Sequence, residues 1–250
     1  TKAYRRGALC RGRGMATGVI GTVSYRWPGH DEPAPLTTPG CLELHRMLAA
    51  MKDAGAKYAF MEVSSHALDQ DRVAGIDFSG GLFTNLTQDH LDYHDGMEDY
   101  FASKARLFLR PDEGGVPFAN KIAVANADDE YGRPLPALPT GGIGFGLARG
   151  PAPGSRPPSG EILSLSPRGV RLAVSFEGRR WELASPLVGG FNVMNLLGAQ
   201  ALGLGLGLGP EDFAALASFT GVSGRLERVP SGKGLNVFVD YAHTPDALVK

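Results

Sequence analysis

Three apolar runs of strand length, each closing on polar residues, constrain this chain more than anything else in it. They are YAFMEVSS from Tyr58 to Ser65, FSGGLFTNL from Phe78 to Leu86, and KIAVANADD from Lys121 to Asp129. A run that is apolar throughout, rather than at alternate positions, suits a strand covered on both faces. Helical segments separate the three, and that alternation predicts an α/β fold with three layers around a mainly parallel sheet. Ligands gather at the carboxyl ends of such strands. The rule brings Glu62, Asn85, His90 and Asn126 toward one edge although they lie far apart in the chain.

The remaining segments fill in around that sheet. Residues 1–18 carry five Arg and Lys among scattered glycines and read as a frayed helix. The β-branched run from Val19 to Tyr25 predicts a strand, and Pro28 to Pro35 a proline-rich loop. LTTPGCLELHRMLAAMKDAG reads as a helix with Thr38 as N-cap, Pro39 at the first helical position, an apolar face of Leu44, Met47, Leu48 and Met51, and Gly55 as its stop. After a turn-rich connector from Gly150 to Gly160, alternating apolar and polar residues with turn signals at Pro167-Arg168-Gly169 and Glu177-Gly178 predict two or three short antiparallel strands, a small sheet at the margin. FNVMNLLGAQALG predicts a helix that ends near Leu202, because each glycine of the following GLGLGLG run costs a helix about 1 kcal/mol. Pro210 opens another short helix. LNVFVDYAHTPDALVK reads as a strand leading into a helix, so the expected division is a first domain over 1–230 and the start of a second, Rossmann-like one over 231–250.

Charge and cysteine content exclude several classes. A net charge of -1 over 250 residues gives no global attraction to nucleic acid or an anionic membrane. Cys10 and Cys41 are too few for a disulfide framework, and with no apolar run near membrane-spanning length and no signal peptide, a cytoplasmic protein is expected. The chain opens on Thr1 and closes at Lys250 inside a continuing element, so a fragment is expected. Nothing in it addresses oligomeric state.

The densest chemistry lies between Thr84 and Phe108. Asp89, His90, Asp92 and His94 fall within six residues, followed by a helical run in which Met97, Phe101, Lys104 and Phe108 share a face. A lysine in the middle of an apolar face either snorkels to solvent or has chemistry suited to the site. Glu62 with His90 suits a divalent cation, or else a helix-capping carboxylate and a core histidine. Asp-His-Leu-Asp-Tyr-His also invites a metallohydrolase reading, but His30, His45, His66 and His243 supply no second histidine-rich segment. A Ser/His nucleophile within Ser64-Ser65-His66 is disfavoured, since neighbouring strand residues point to opposite faces. No GxxxxGK[ST] loop occurs; the Gly232-Lys233 pair is followed by Gly234. Arg72 and Arg225 each follow the end of an element, where a guanidinium either grips a carboxylate or phosphate or is simply solvated. Asn192 and Asn195, three residues apart, share a face near a helix start.

Taken in order, GVIGTVSYR, LTTP, EVSSHALDQDRV, FTNLTQDHLDYHDGMEDYFASKARLF, GGFNVMNLLGA, GRLERV and DYAHTPDAL resemble the Mur ligase family over nearly the whole chain. The resemblance implies the central, ATP-binding domain of an ATP- and Mg2+-dependent amide ligase. Its branch adds the third amino acid to UDP-N-acetylmuramoyl-L-alanyl-D-glutamate in peptidoglycan synthesis through an acyl phosphate. Partners would be the UDP-muramoyl peptide and an amino acid. The resemblance further implies Glu62, His90 and a carbamylated Lys104 at magnesium; Thr37, Thr38, Ser64, Gln70 and Arg72 at the UDP-muramoyl dipeptide; Asn192 and Asn195 at adenine; and Arg225 and Asp240 at ATP phosphate and ribose, with His243 in the same closing motif. The family's phosphate loop, GTNGKT, would precede the segment that TKAYRR imitates, and Arg5, Arg6, Arg11 and Arg13 stand at usually apolar positions. The fragment alone is therefore not expected to turn over. Related readings are a folylpolyglutamate synthase or cyanophycin synthetase, a non-catalytic remnant, and a metallohydrolase.

Overall fold

A computed structural model describes residues 14–110, 116–117, 122–135, 142–147, 158–233 and 235–242. The parallel strands fall into two groups. β1 (Thr17–Ile20) pairs in parallel with β4 (Tyr58–Met61) and antiparallel with β2 (Ser24–Trp27), which pairs in turn with β3 (His30–Pro33). β5 (Gly80–Phe83), β8 (Ile122–Asn126) and β9 (Ile143–Phe145) form a three-stranded parallel sheet in that order. Between them in the chain lies a two-residue pairing of β6 (Leu109–Arg110) with β7 (Val116–Pro117).

The strand expected from Val19 to Tyr25 is thus two strands that fold back on each other, pairing Ile20 with Tyr25. The expected loop over Pro28 to Pro35 contains β3. Its prolines are tolerated because β3 is an edge strand whose last residue, Pro33, needs no donor on the open side.

Helices cover both faces of the β5–β8–β9 sheet, as its apolar runs require. α1 (Cys41–Asp53) buries Leu44, Met47 and Met51 against Ile20 and Tyr25, and ends with Gly55 in the left-handed region at φ 82°. Thr38 does not cap this helix; Gly40 occupies that position without a side-chain hydrogen bond. A short α2 (Ser65–Asp69) is capped by Ser64, whose Oγ accepts from Ala67 N at 3.2 Å. On β8, Val124 faces one core while Ala123 and Ala125 face another, so the three layers can be read from one strand. The Ala123 side packs with Tyr100 of α3 (Met97–Ala105) and with Phe108, and the Val124 side with α4 (Gly190–Gly205).

α4 runs to Gly205, past the expected end at Leu202. Its glycines are contact points: a Cβ on Gly198 would come within 2.8 Å of Phe145, one on Gly203 within 2.8 Å of Phe213, and one on Gly205 within 2.5 Å of Ile122. Close approach to the β8–β9 sheet offsets the conformational cost of glycine in a helix. Above this helix, β10 (Ser159–Ser166), β11 (Gly169–Phe176) and β12 (Arg179–Ser185) form the expected antiparallel sheet. Trp181 Nε1 donates to the fully buried Gln200 Oε1 at 2.8 Å, satisfying an amide that the helix sends into its core.

A 3-10 helix spans Pro210–Leu216, where Asp212 Oδ2 accepts from Gly209 N at 2.8 Å. β13 (Glu227–Val229) then pairs antiparallel with β14 (Val237–Val239) across Pro230. The helix expected over 243–250, His243, Cys10 and the N-terminal basic segment lie outside the described residues.

Candidate active site

Among the described residues, β4 is hydrogen-bonded to a strand on one side alone, through β1, and β5 on one side alone, through β8. The two edges face a cavity of about 1160 Å³. Lys57, Tyr58, Phe78 and Ser79 line it from the strands' amino ends, and Glu62, Thr84 and Asn85 from their carboxyl ends, so both strands border it along their length. Asp89, Asn192, Asn195, Arg225 and Asp240 complete the polar part of the wall. Residues from five separate segments therefore meet around the cavity.

Glu62 anchors one side. Thr22 donates to its Oε2 from both N, at 3.1 Å, and Oγ1, at 2.8 Å. Burial pushes this carboxyl up, and the two Thr22 hydrogen bonds pull it down.

Beside it the five residues assigned to the UDP-muramoyl dipeptide form one connected network. Thr22 Oγ1 lies 3.1 Å from Thr37 Oγ1. Thr38, fully buried, donates to Glu62 O at 2.9 Å and accepts from Ser64 N at 3.1 Å, which fixes the chain on either side of Val63. Arg72 donates to Thr38 O at 3.1 Å and forks onto Gln70 Oε1 at 3.0 and 2.6 Å. Gln70 in turn donates to Tyr93 Oη, which donates to Asp69. The solvated alternative for Arg72 is therefore replaced by a held guanidinium.

On the other side, Asn192 Nδ2 donates to Val188 O at 2.6 Å, and Asn195 Nδ2 to Asn192 Oδ1 at 3.3 Å. Arg225 lies 5.3 Å from the Tyr241 ring, and Asp240 Oδ2 accepts from Leu226 N at 2.6 Å. These bonds join the GRLERV and DYAHTP motifs at the cavity mouth.

His90 and Lys104 do not line the cavity. They meet instead at the Tyr100 ring, with the Lys104 Nζ 4.6 Å from its centroid and the His90 ring 5.9 Å away, edge to face. Burial pushes the Lys104 ammonium down to about 8, against the pull of Asp89 and Asp129. Burial, then Asp89, raises the Tyr100 phenol to about 12, so the ring stays neutral. No group of three His, Cys, Asp and Glu side chains placed to hold a metal occurs among the described residues. Glu62 and Asp89, on the wall, still offer the hard oxygen donors that Mg2+ takes. Asn126, expected at the rim, is spent internally: it donates to Thr84 O and accepts from Asp128 N.

Sequence reasoning missed one array. The buried His94 lies with Nδ1 3.1 Å from Asp99 Oδ2 and Nε2 2.9 Å from Ser65 Oγ. The histidine that serves Ser65 is thus His94 and not the adjacent His66, whose ring is pushed toward neutrality first by burial and then by His90 and His94.

The sequence profile of the Mur ligase middle domain matches residues 8–203. The chain belongs to that family. It is 56% identical over 241 residues to the UDP-N-acetylmuramoyl-L-alanyl-D-glutamate--2,6-diaminopimelate ligase of Lawsonia intracellularis, covering 96% of this chain and 49% of that protein. It is 46% identical to the ligase of the same name from Synechococcus elongatus, over 93% of this chain and 45% of the other. A solved structure bearing that name superposes with a TM-score of 0.81 at 28% identity, over all of this chain and 50% of its own. MurF from Acinetobacter baumannii, at 18% identity and a TM-score of 0.71, shares the fold. The chain spans about half the length of the curated relatives it matches.

Proposed function

We propose that this chain is the central part of a MurE-type ligase that joins an amino acid, 2,6-diaminopimelate, to UDP-N-acetylmuramoyl-L-alanyl-D-glutamate at the expense of ATP. The observation that carries the reading is the cavity between β4 and β5, which sets the Thr37/Thr38/Ser64/Gln70/Arg72 network beside Glu62 on one flank and Asn192, Asn195, Arg225 and Asp240 on the other. The relatives' names supply the substrate and the amino acid.

In this reading the network holds the UDP-muramoyl dipeptide with its free carboxylate toward Glu62, while the two asparagines receive adenine and Arg225 and Asp240 the phosphate and ribose. The substrate carboxylate attacks the γ-phosphorus, the bond to ADP breaks, and an acyl phosphate forms. The amine of the amino acid then displaces phosphate and loses a proton, leaving an amide. Mg2+, when bound, screens the phosphate charge. Glu62, on the cavity wall, would hold it together with His90 and Lys104, which have to turn from the Tyr100 ring toward the cavity to do so. Lys104 serves as a carbamate, and a pKa near 8 favours this because the neutral amine is the form that adds CO2. Residues 1–230 form the ATP-binding domain and 231–250 open the next one, which works in the cytoplasm.

The test uses the complete protein. Phosphate release from ATP should require both the UDP-muramoyl dipeptide and 2,6-diaminopimelate. Release that is independent of both, or ester or amide hydrolysis without ATP, contradicts the proposal.

A further inference from the structure

The Ser65–His94–Asp99 array has the order of a hydrolytic triad, but Ser65 is 2% exposed and His94 3%, so no substrate reaches the hydroxyl. Its members instead belong to three pieces that carry the site. Ser65 opens α2, beside Ser64 and upstream of Gln70 and Arg72. Asp99 lies in the first turn of α3, the helix of Lys104. His94 ends the loop that presents Asp89 and His90.

The same loop holds an uncommon backbone. His90 has φ 55°, a left-handed conformation that a non-glycine residue keeps only where its surroundings impose it. Two amides close on it, Tyr93 N to His90 O at 3.1 Å and His94 N to His90 O at 3.0 Å. The His94 ring also stacks on Tyr100 at 5.0 Å and 23°, the ring that Lys104 and His90 both touch.

Resting on the ligase reading, we propose that His94 is a positioning residue: clamped between Ser65 and Asp99, its ring fixes the left-handed turn at His90 and the Tyr100 surface under Lys104, and so sets the starting positions of the two side chains that this reading brings to Mg2+. The chemistry is that of an imidazole whose Nδ1–H donates to a carboxylate while Nε2 accepts from a hydroxyl, which locks both tautomer and orientation.

The experiment uses the complete protein and three variants: His94→Phe, which keeps the ring stack and loses both hydrogen bonds, His94→Gln, which can keep one, and Asp99→Asn, at a half-exposed position that tolerates substitution. Three quantities are read: Mg2+ affinity by calorimetry, hydrogen exchange of the Tyr93 and His94 amides (in the His94 variants, the amide at position 94), and steady-state kinetics. Expected for His94→Phe are a 10- to 100-fold weaker Mg2+ affinity and a matching fall in kcat. Amide exchange should be faster, and KM for ATP should stay within twofold. His94→Gln should fall between Phe and wild type, and Asp99→Asn should shift in the same direction. Folded variants with Mg2+ affinity, exchange and kcat all within twofold of wild type overturn the proposal. A fall in kcat with unchanged Mg2+ affinity and exchange overturns it too. A wild-type protein that binds Mg2+ but forms no amide from ATP, dipeptide and amino acid overturns the ligase reading itself, and with it this role.

Discussion

The two flanks of the cavity are built by different means. The α4 flank is an apolar block: Val124, Phe145, Val193, Leu196 and Leu197 are all essentially inaccessible, and the glycines of α4 let it lie directly on the sheet. The α1 flank has a smaller core around Ile20, Tyr25, Leu44 and Met51, and its rim is held by polar side chains bonded to one another, from Thr22 through Glu62 and Thr38 to Arg72 and Gln70. An apolar block fixes where a helix terminus sits but offers a ligand little beyond amides. A polar network offers many donors and acceptors, and each of its members supports another. Damage to the first flank should therefore appear as lost stability, and damage to the second as lost recognition.

The largest effect belongs to neither flank. Lys104→Met in the complete protein should abolish ligation, while thermal unfolding at pH 7 in CO2-free buffer, where Lys104 is the free amine, shows equal or greater stability, because a disfavoured buried charge has been removed. The sign follows from linkage: the folded pKa near 8 lies below the ordinary 10.5, so the unfolded state binds more protons between the two values and stability rises with pH across that window. The Met variant should lack this rise, and near-normal turnover in it would remove the carbamate role.

Next comes Leu196→Ala, which opens a cavity in the fully buried α4 interface and should cost about 2–5 kcal/mol by denaturant titration, with KM for the dipeptide unchanged in protein that remains folded. Thr38→Val keeps the shape but removes the bridge between Glu62 O and Ser64 N. It should cost about 1–3 kcal/mol and raise KM for the UDP-muramoyl dipeptide while sparing KM for ATP. Equal changes in both KM values would erase the distinction between the flanks. Smallest is Arg171→Ala on the antiparallel sheet. Its 2.8 Å ion pair with Glu182 is solvent-exposed, so the loss should stay under about 1 kcal/mol.

Much of this was legible from local pattern. Apolar runs ending in Glu62, Asn85 and Asn126 marked the parallel strands, most clearly β8, where burial on two faces leaves no alternation in the sequence. The β10–β11–β12 sheet was legible for the opposite reason, since one exposed face imposes alternation. What escaped was long-range. Thr38 has the chemistry and position of a helix cap, and only the approach of β4 makes it a bridge instead. The glycines of α4 read as helix breakers until Phe145, Phe213 and Ile122 are placed against them. His94 and Ser65 are 29 residues apart, and neither carries a local mark of the other. The roles proposed for Glu62, His90 and Lys104 rest on motif order, since neither residue spacing nor propensity distinguishes a ligand from a satisfied core side chain.

A crystal structure of the complete protein with a non-hydrolysable ATP analogue and the UDP-muramoyl dipeptide would test the division of labour between the flanks most directly. The dipeptide is predicted to lie against Thr37, Ser64 and Arg72 and the adenine against Asn192 and Asn195, with the γ-phosphate and the substrate carboxylate meeting above Glu62. Nucleotide bound away from the β4–β5 cavity, or both ligands held by one flank, would contradict it.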